Sequence, residues 1–175
     1  MSAVKIPRIV VMGVSGCGKS TVAQALADRL QVAYVEGDAL HPPANVALMA
    51  AGTPLTDEHR KEWLDAVAAT LEAAAKVGVV VTCSALKRAY RDRLRRSAPD
   101  LRLVHLHGSP EMLAQRMQTR SGHYMPLSLL QSQLDTLQWP APEEAAIVLD
   151  IAPGPAEIVT AVLRELDWHA PGVPH

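Results

Sequence analysis

Residues Gly13 to Ser20 read Gly-Val-Ser-Gly-Cys-Gly-Lys-Ser, a match to G-x-x-x-x-G-K-[ST]. The apolar run Ile9 to Met12 stands directly before it, and Thr21 to Leu30 carries apolar residues at helical spacing directly after. A glycine-rich turn between a strand and a helix is the setting this motif requires. The glycines let the backbone curl until successive N–H groups point inward at phosphate oxygens, and the helix adds its partial positive end. Gly13, Val14, Ser15, Gly16, Cys17, Gly18, Lys19, Ser20 and Thr21 are therefore read as a nucleotide phosphate site. Lys19 is placed to reach the β- and γ-phosphates, and Ser20 offers its hydroxyl to Mg²⁺, so ATP and Mg²⁺ are the expected cofactors. Cys17 is read as a small residue that fits the turn.

The rest of the chain repeats the strand-then-helix order. Strands are expected at 32–35, 77–82, 101–106 and 146–150, in addition to the one before the phosphate loop. Helices are expected at 44–51, from Thr56 to about Lys76, and at 85–97, 110–120, 127–137 and 156–166. Thr56 is a natural N-cap with Asp57 and Glu58 in the first turn, and Pro110 suits a helix start. Five alternations predict an α/β fold, a parallel sheet with right-handed crossovers. At 175 residues the expectation is a single domain over residues 1–175.

Composition narrows the partners. There is no Phe, and aromatics make up 3%, so the core is expected to be Val, Leu, Ile, Ala and Met. Proteins that stack bases on exposed rings are disfavoured, whereas buried parallel strands suit such a core. The 17 basic and 18 acidic residues nearly cancel, which argues against a generic nucleic-acid or membrane-surface binder. Cys17 and Cys83 form neither a zinc spacing nor a disulfide framework. No apolar run is long enough to span a bilayer and the N-terminus has no signal-peptide pattern, so a cytoplasmic protein is expected.

Three constellations beyond the loop bear on chemistry. Asp38 follows the second strand, where ligands of open α/β sheets bind; it reads as a proton acceptor or a metal partner through water, or as a solvated loop acid. Lys87, Arg88 and Arg91 follow the third strand; Lys87 and Arg91, four apart, suit an anionic substrate or form a solvated basic face. Arg116 and Arg120 are one turn apart before Gly122-His123-Tyr124, the expected hinge of a lid at about 119–140 carrying cations to the phosphates.

Four further strings are more specific: GDALHPPANVALM (37–49), GTPLTDEHRKEWL (52–64), CSALKRAYR (83–91) and RSGHYMPLSLLQSQ (120–133). With the phosphate loop, they resemble the gluconokinase family, thermoresistant type, from about Ile9 to Ile151. Leu48, Glu62 and Tyr124 depart from that pattern, at positions where it often has Lys, Pro and Phe. The resemblance implies a P-loop NTPase of three layers, α/β/α, like adenylate and shikimate kinases, with strand order 2-3-1-4-5. It also implies ATP-dependent phosphorylation of D-gluconate at its 6-hydroxyl, and a homodimer.

Within that reading Lys19, Asp38, Arg116 and Arg120 are catalytic, and the adenine lies near Ile151 to Pro155. His41 and Asn45 are hydroxyl partners, or caps of a turn and a short helix. Arg60 reaches the substrate carboxylate or pairs on its own helix, and His123 contacts ligand from the lid or is exposed. Trp63 is expected in the core, and His105 and His107 as satisfied structural residues. The alternatives are another small-molecule kinase of this fold, such as a shikimate-type kinase, and a nucleotide switch; the N-K-x-D string that reads guanine is absent.

Overall fold

A computed structural model describes residues 6–119 and 127–169. Arg120, His123 and Tyr124 therefore lie outside the described residues. The sheet has five strands: β1 (Arg8–Met12), β2 (Ala33–Glu36), β3 (Val79–Thr82), β4 (Arg102–His107) and β5 (Ile147–Asp150). Their order is β2-β3-β1-β4-β5 and every pairing is parallel, as the resemblance implied. β1 is central, buried along its whole length, and in register with β3 (Val10 beside Val81) and β4 (Val10 beside Leu103).

Alternate residues of β1 serve two cores, because side chains of a strand alternate between faces. Ile9 and Val11 pack with α1 (Lys19–Leu30) and α7 (Pro155–Glu165). Val10 and Met12 pack with α3 (Asp57–Ala73) and α4 (Arg88–Ser97) on the other face. α5 (Pro110–Thr119) and α6 (Leu127–Thr136) join the first core through Leu113, Met117 and Leu130, and α2 (Pro43–Ala50) lies before α3. The expected Val/Leu/Ile/Ala/Met core is what fills both layers, with Trp63 the largest side chain buried in it. The order of connections reverses around β1, and that is where an open α/β sheet leaves a crevice at its strand C-termini.

Element ends moved for local reasons. Thr56 caps α3 as expected, with a reciprocal capping box through His59. That helix ends at Ala73, short of Lys76. α4 begins at Arg88, not Ala85, because Ala85 has φ +46° and Lys87 is an extended N-cap. Among the described residues no helix is long and apolar enough to cross a membrane.

Candidate active site

The phosphate loop runs from β1 into α1. Gly13 has φ +147°, and a Cβ there would lie 2.6 Å from the Leu106 carbonyl oxygen, so only glycine lets the loop leave the sheet. Gly18 caps α1 with no side-chain bond, so the first N–H groups of the helix are open to a ligand. Lys19 Nζ donates to the carbonyls of Gly13 (3.0 Å) and Val14 (3.1 Å). Arg116, on α5, lies beside the loop: a Cβ on Gly18 would be 3.8 Å from its Nη1. Its Nη2 donates to the Ile151 carbonyl at 3.1 Å, tying the phosphate loop side to the segment after β5.

Glu36 at the end of β2 escaped the sequence reading. The Ser20 hydroxyl donates to its Oε2 (2.6 Å), Thr82 to its Oε1 (2.7 Å), and Tyr34 also donates to Oε2. Burial pushes this carboxyl up, but the three hydroxyl donors and the Lys19 charge outweigh it and hold Glu36 below its ordinary range. Its one sequence signal is an acid closing an otherwise apolar strand.

Asp38 is presented just beyond. Gly37 approaches β3 so closely that a Cβ would sit 1.7 Å from the Thr82 carbonyl oxygen, and a short 3₁₀ turn (Gly37–Leu40) then carries Asp38 to the surface of the crevice. His41 follows, its ring stacked on Trp63 with centroids 4.2 Å apart and planes at 14°. Trp63 is anchored by its Nε1 to the Gly37 carbonyl at 2.8 Å. Trp63 is thus both core, as expected, and the floor beneath His41.

Asn45 is 4% exposed and does not line the pocket; the expectation of a hydroxyl partner there is corrected. Its Nδ2 donates to the His59 carbonyl (2.7 Å) and meets His41 Nδ1 at 3.2 Å. The carbonyl can only accept, which orients the amide and makes His41 Nδ1 an acceptor; the ring proton then belongs on Nε2. Burial lowers the His41 pKa, Asp38 opposes and Arg60 assists, so the ring favours its neutral form.

The three remaining cations separate. Arg60 lines the same pocket as Ser15, Lys19, Asp38, His41 and Trp63. Its described hydrogen bonds, to Leu55 O (2.8 Å) and Tyr90 Oη (3.3 Å), both leave from Nη1, so those partners leave Nε and Nη2 unengaged. Lys87 does not line the pocket: its Nζ sits on both Asp57 oxygens, at 2.9 and 3.1 Å, and that bond raises its pKa. Arg91 is a correction. It is 0% exposed, with Nε and Nη2 on Glu144 (2.8 and 3.2 Å) and Nη1 on the Ala85 carbonyl (2.9 Å), so it holds the protein together and not a substrate.

His105, expected to be a satisfied structural residue, is corrected too. It is fully buried, yet neither ring nitrogen has a hydrogen-bond partner among the described residues. Burial, with the His107 and Arg91 charges, pushes its pKa down to about 4. Trp139, 56% exposed, packs edge-on over it at 4.8 Å and against His107 at 5.1 Å.

A family model described as an AAA domain matches residues 9–140. The chain is similar to a gluconokinase of Gluconobacter oxydans, 48% identical over 158 residues and 89% of each chain. It is also similar to the thermoresistant gluconokinase of Escherichia coli, 41% identical over 90% of this chain and 91% of that one. A crystal structure of a gluconokinase from Sinorhizobium meliloti superimposes with TM-score 0.87 at 51% identity, covering 94% of both chains. A shikimate kinase from Bacteroides thetaiotaomicron, TM-score 0.66 and 14% identical over 93% of this chain and 99% of that one, shares the fold alone.

Proposed function

We propose that this chain, which belongs to the gluconokinase family, transfers the terminal phosphoryl group of ATP to the 6-hydroxyl of D-gluconate, giving 6-phosphogluconate and ADP. The observation that carries the reading is that Lys19, Asp38, His41 and Arg60 line one pocket at the phosphate loop. A small sugar acid needs one cation for its carboxylate and polar partners for its hydroxyls, and the pocket offers both. Arg60 takes the carboxylate through its free edge, and His41 donates Nε2–H to a hydroxyl. Asp38 accepts the proton of the 6-hydroxyl as that oxygen attacks the γ-phosphorus, and the bond to the bridging oxygen of ADP breaks.

Lys19 and Arg116 neutralise charge on the phosphates, and positioning supplies most of the rate. Arg120 and His123, outside the described residues, are proposed to act from a lid at about 119–140. Ser20 and Glu36 fit Mg²⁺: a hydroxyl and an ionised carboxylate are the hard oxygen donors that ion takes. When bound, Mg²⁺ offsets the charge on the β- and γ-oxygens. A single cytoplasmic kinase domain working as a homodimer belongs to the same reading, and light scattering of the purified chain tests the dimer.

The deciding experiment is a coupled assay with ATP and D-gluconate, run beside related aldonates and shikimate. Turnover is expected with gluconate, and Asp38→Asn is expected to lower kcat by about 10²–10⁴-fold while nucleotide affinity holds. Wild-type kcat in that variant removes Asp38 as the base; turnover with shikimate alone overturns the substrate.

A further inference from the structure

One contact at the phosphate loop is unlike the others there. Gln133, on α6, lies 118 positions from Ser15 in the chain, yet its Oε1 accepts the Ser15 backbone N–H at 2.7 Å. Of the loop residues, only Ser15 and Lys19 line the pocket that also holds Asp38 and His41. Gln133 lines that pocket as well, so the Ser15 N–H···Gln133 bond joins two walls of the pocket that Asp38 and His41 also line. A side-chain carbonyl oxygen on that N–H presents the partial negative charge that a phosphate oxygen presents when nucleotide is bound. Lys19 points the same way: its ammonium rests on the Gly13 and Val14 carbonyls, so protein oxygens take the Lys19 ammonium as well as the Ser15 N–H. The Lys19 contacts are internal to the loop, whereas the Ser15 contact ties the loop to another element. Leu129 and Ser132, on the same helix as Gln133, line the pocket too, so α6 is its roof.

We infer that Gln133 discriminates between nucleotide states: its side-chain oxygen holds the position of a terminal-phosphate oxygen on the Ser15 N–H, and must leave before a triphosphate seats. A diphosphate, which stops short of the acceptor side, leaves the bond in place. The inference rests on the kinase reading above. Its consequence is linkage: a group that binds only one of two states shifts the equilibrium between them by its differential affinity. The triphosphate thus competes with the Gln133 contact on Ser15, and ADP does not.

The test is calorimetric binding of the β,γ-imido analogue of ATP and of ADP to the full chain and to two variants. Gln133→Leu keeps the side-chain bulk and helix propensity but removes the acceptor. It is expected to bind the triphosphate analogue about three- to tenfold more tightly, the range of one net hydrogen bond, with ADP affinity unchanged. Gln133→Glu keeps an acceptor and adds charge, and is expected to weaken the analogue selectively. ADP binding reports that the loop is folded in each variant. If Gln133→Leu leaves the analogue's affinity unchanged, weakens it, or moves both nucleotides in parallel, the inference is overturned. Should Gln133→Leu fail to bind ADP, Gln133→Glu decides alone, and equal effects on both nucleotides overturn the inference. Failure of the wild type to phosphorylate gluconate would overturn the functional reading and is read in a separate assay.

Discussion

Arg60 and Arg91 are the same residue type, on the packed helices α3 and α4, each following a loop at the sheet's C-terminal edge. Read in the sequence, both suit a substrate carboxylate. The fold gives them opposite work. Arg60 keeps one edge of its guanidinium on an open pocket and uses the other to brace against Leu55 and Tyr90. Arg91 is closed in by Glu144 and two backbone carbonyls. The difference lies in what arrives from far along the chain: the 3₁₀ turn Pro142–Glu144 delivers a carboxylate onto Arg91, whereas Asp57 meets Arg60 only through the shared Tyr90 hydroxyl. Charge type therefore marks a cation as available, and the partner supplied by the fold decides whether it binds ligand or holds structure.

The largest effect expected from breaking this comparison is on stability. Arg91→Ala leaves Glu144, whose side chain is 1% exposed, as a buried charge without its main partner. Removing one member of a buried pair costs about 3–5 kcal/mol, which in a chain of this size lowers Tm by about 6–20 °C. The kcat of the folded fraction is expected to stay at the wild-type value. A calorimetric scan and an assay at low temperature check both; an unchanged Tm would return Arg91 to the substrate.

Arg60→Ala is expected to give the converse. Losing a charge-assisted contact to the substrate carboxylate raises the KM for gluconate by about 10–100-fold. Because Arg60 is only half-buried, Tm is expected to move little. Steady-state kinetics against gluconate at saturating ATP measures it, and an unchanged KM would show that another cation holds the carboxylate.

The smallest effect sharpens the comparison on its stability side, through pH. His105 titrates near 6.5 when unfolded and at about 4 when folded. Between those values the unfolded chain binds a proton that the folded chain does not, so stability falls as pH drops from 6.5 and levels off below 4. Glu144, held at about 2 by Arg91 and Arg95 against the effect of its burial, adds a lower window: its stabilisation is present above 4.5 and lost as pH falls towards 2. His105→Leu is expected to flatten the upper window and leave the lower one intact, while removing two unpartnered buried nitrogens. Urea midpoints across pH 3–8 distinguish the two, and an unchanged slope above pH 4.5 would mean that His105 does not carry it.

Much of the fold was legible because it is written locally. The phosphate loop is consecutive residues in a required strand–helix setting, and Thr56 with Asp57 and Glu58 announces a helix start that α3 honours. Apolar runs marked five strands; their spatial order came only with the family resemblance, since periodicity says nothing about neighbours. The site was legible in part. Asp38, His41 and Arg60, each singled out in the sequence, line one pocket with Lys19. Glu36 was missed because its role depends on hydroxyls of Ser20, Tyr34 and Thr82, which come from three elements. Asn45 was misplaced because its amide is engaged by a carbonyl on another helix, and that pairing has no local signature.

The sequence by itself determined what each short stretch does with its own backbone: where the chain turns, which stretches run as strand or helix, and that residues 13–20 form a phosphate cradle. Those properties depend on neighbours within about one helical turn, so spacing and residue type suffice. Only the tertiary structure decided which polar groups are engaged: Arg91 by Glu144, Lys87 by Asp57, Ser15 by Gln133. The partners in these pairs are 53, 30 and 118 positions apart. A hydrogen bond or ion pair needs its two atoms within about 3 Å, and it is the packing of five strands and their helices that sets distances of that kind between residues remote in the chain.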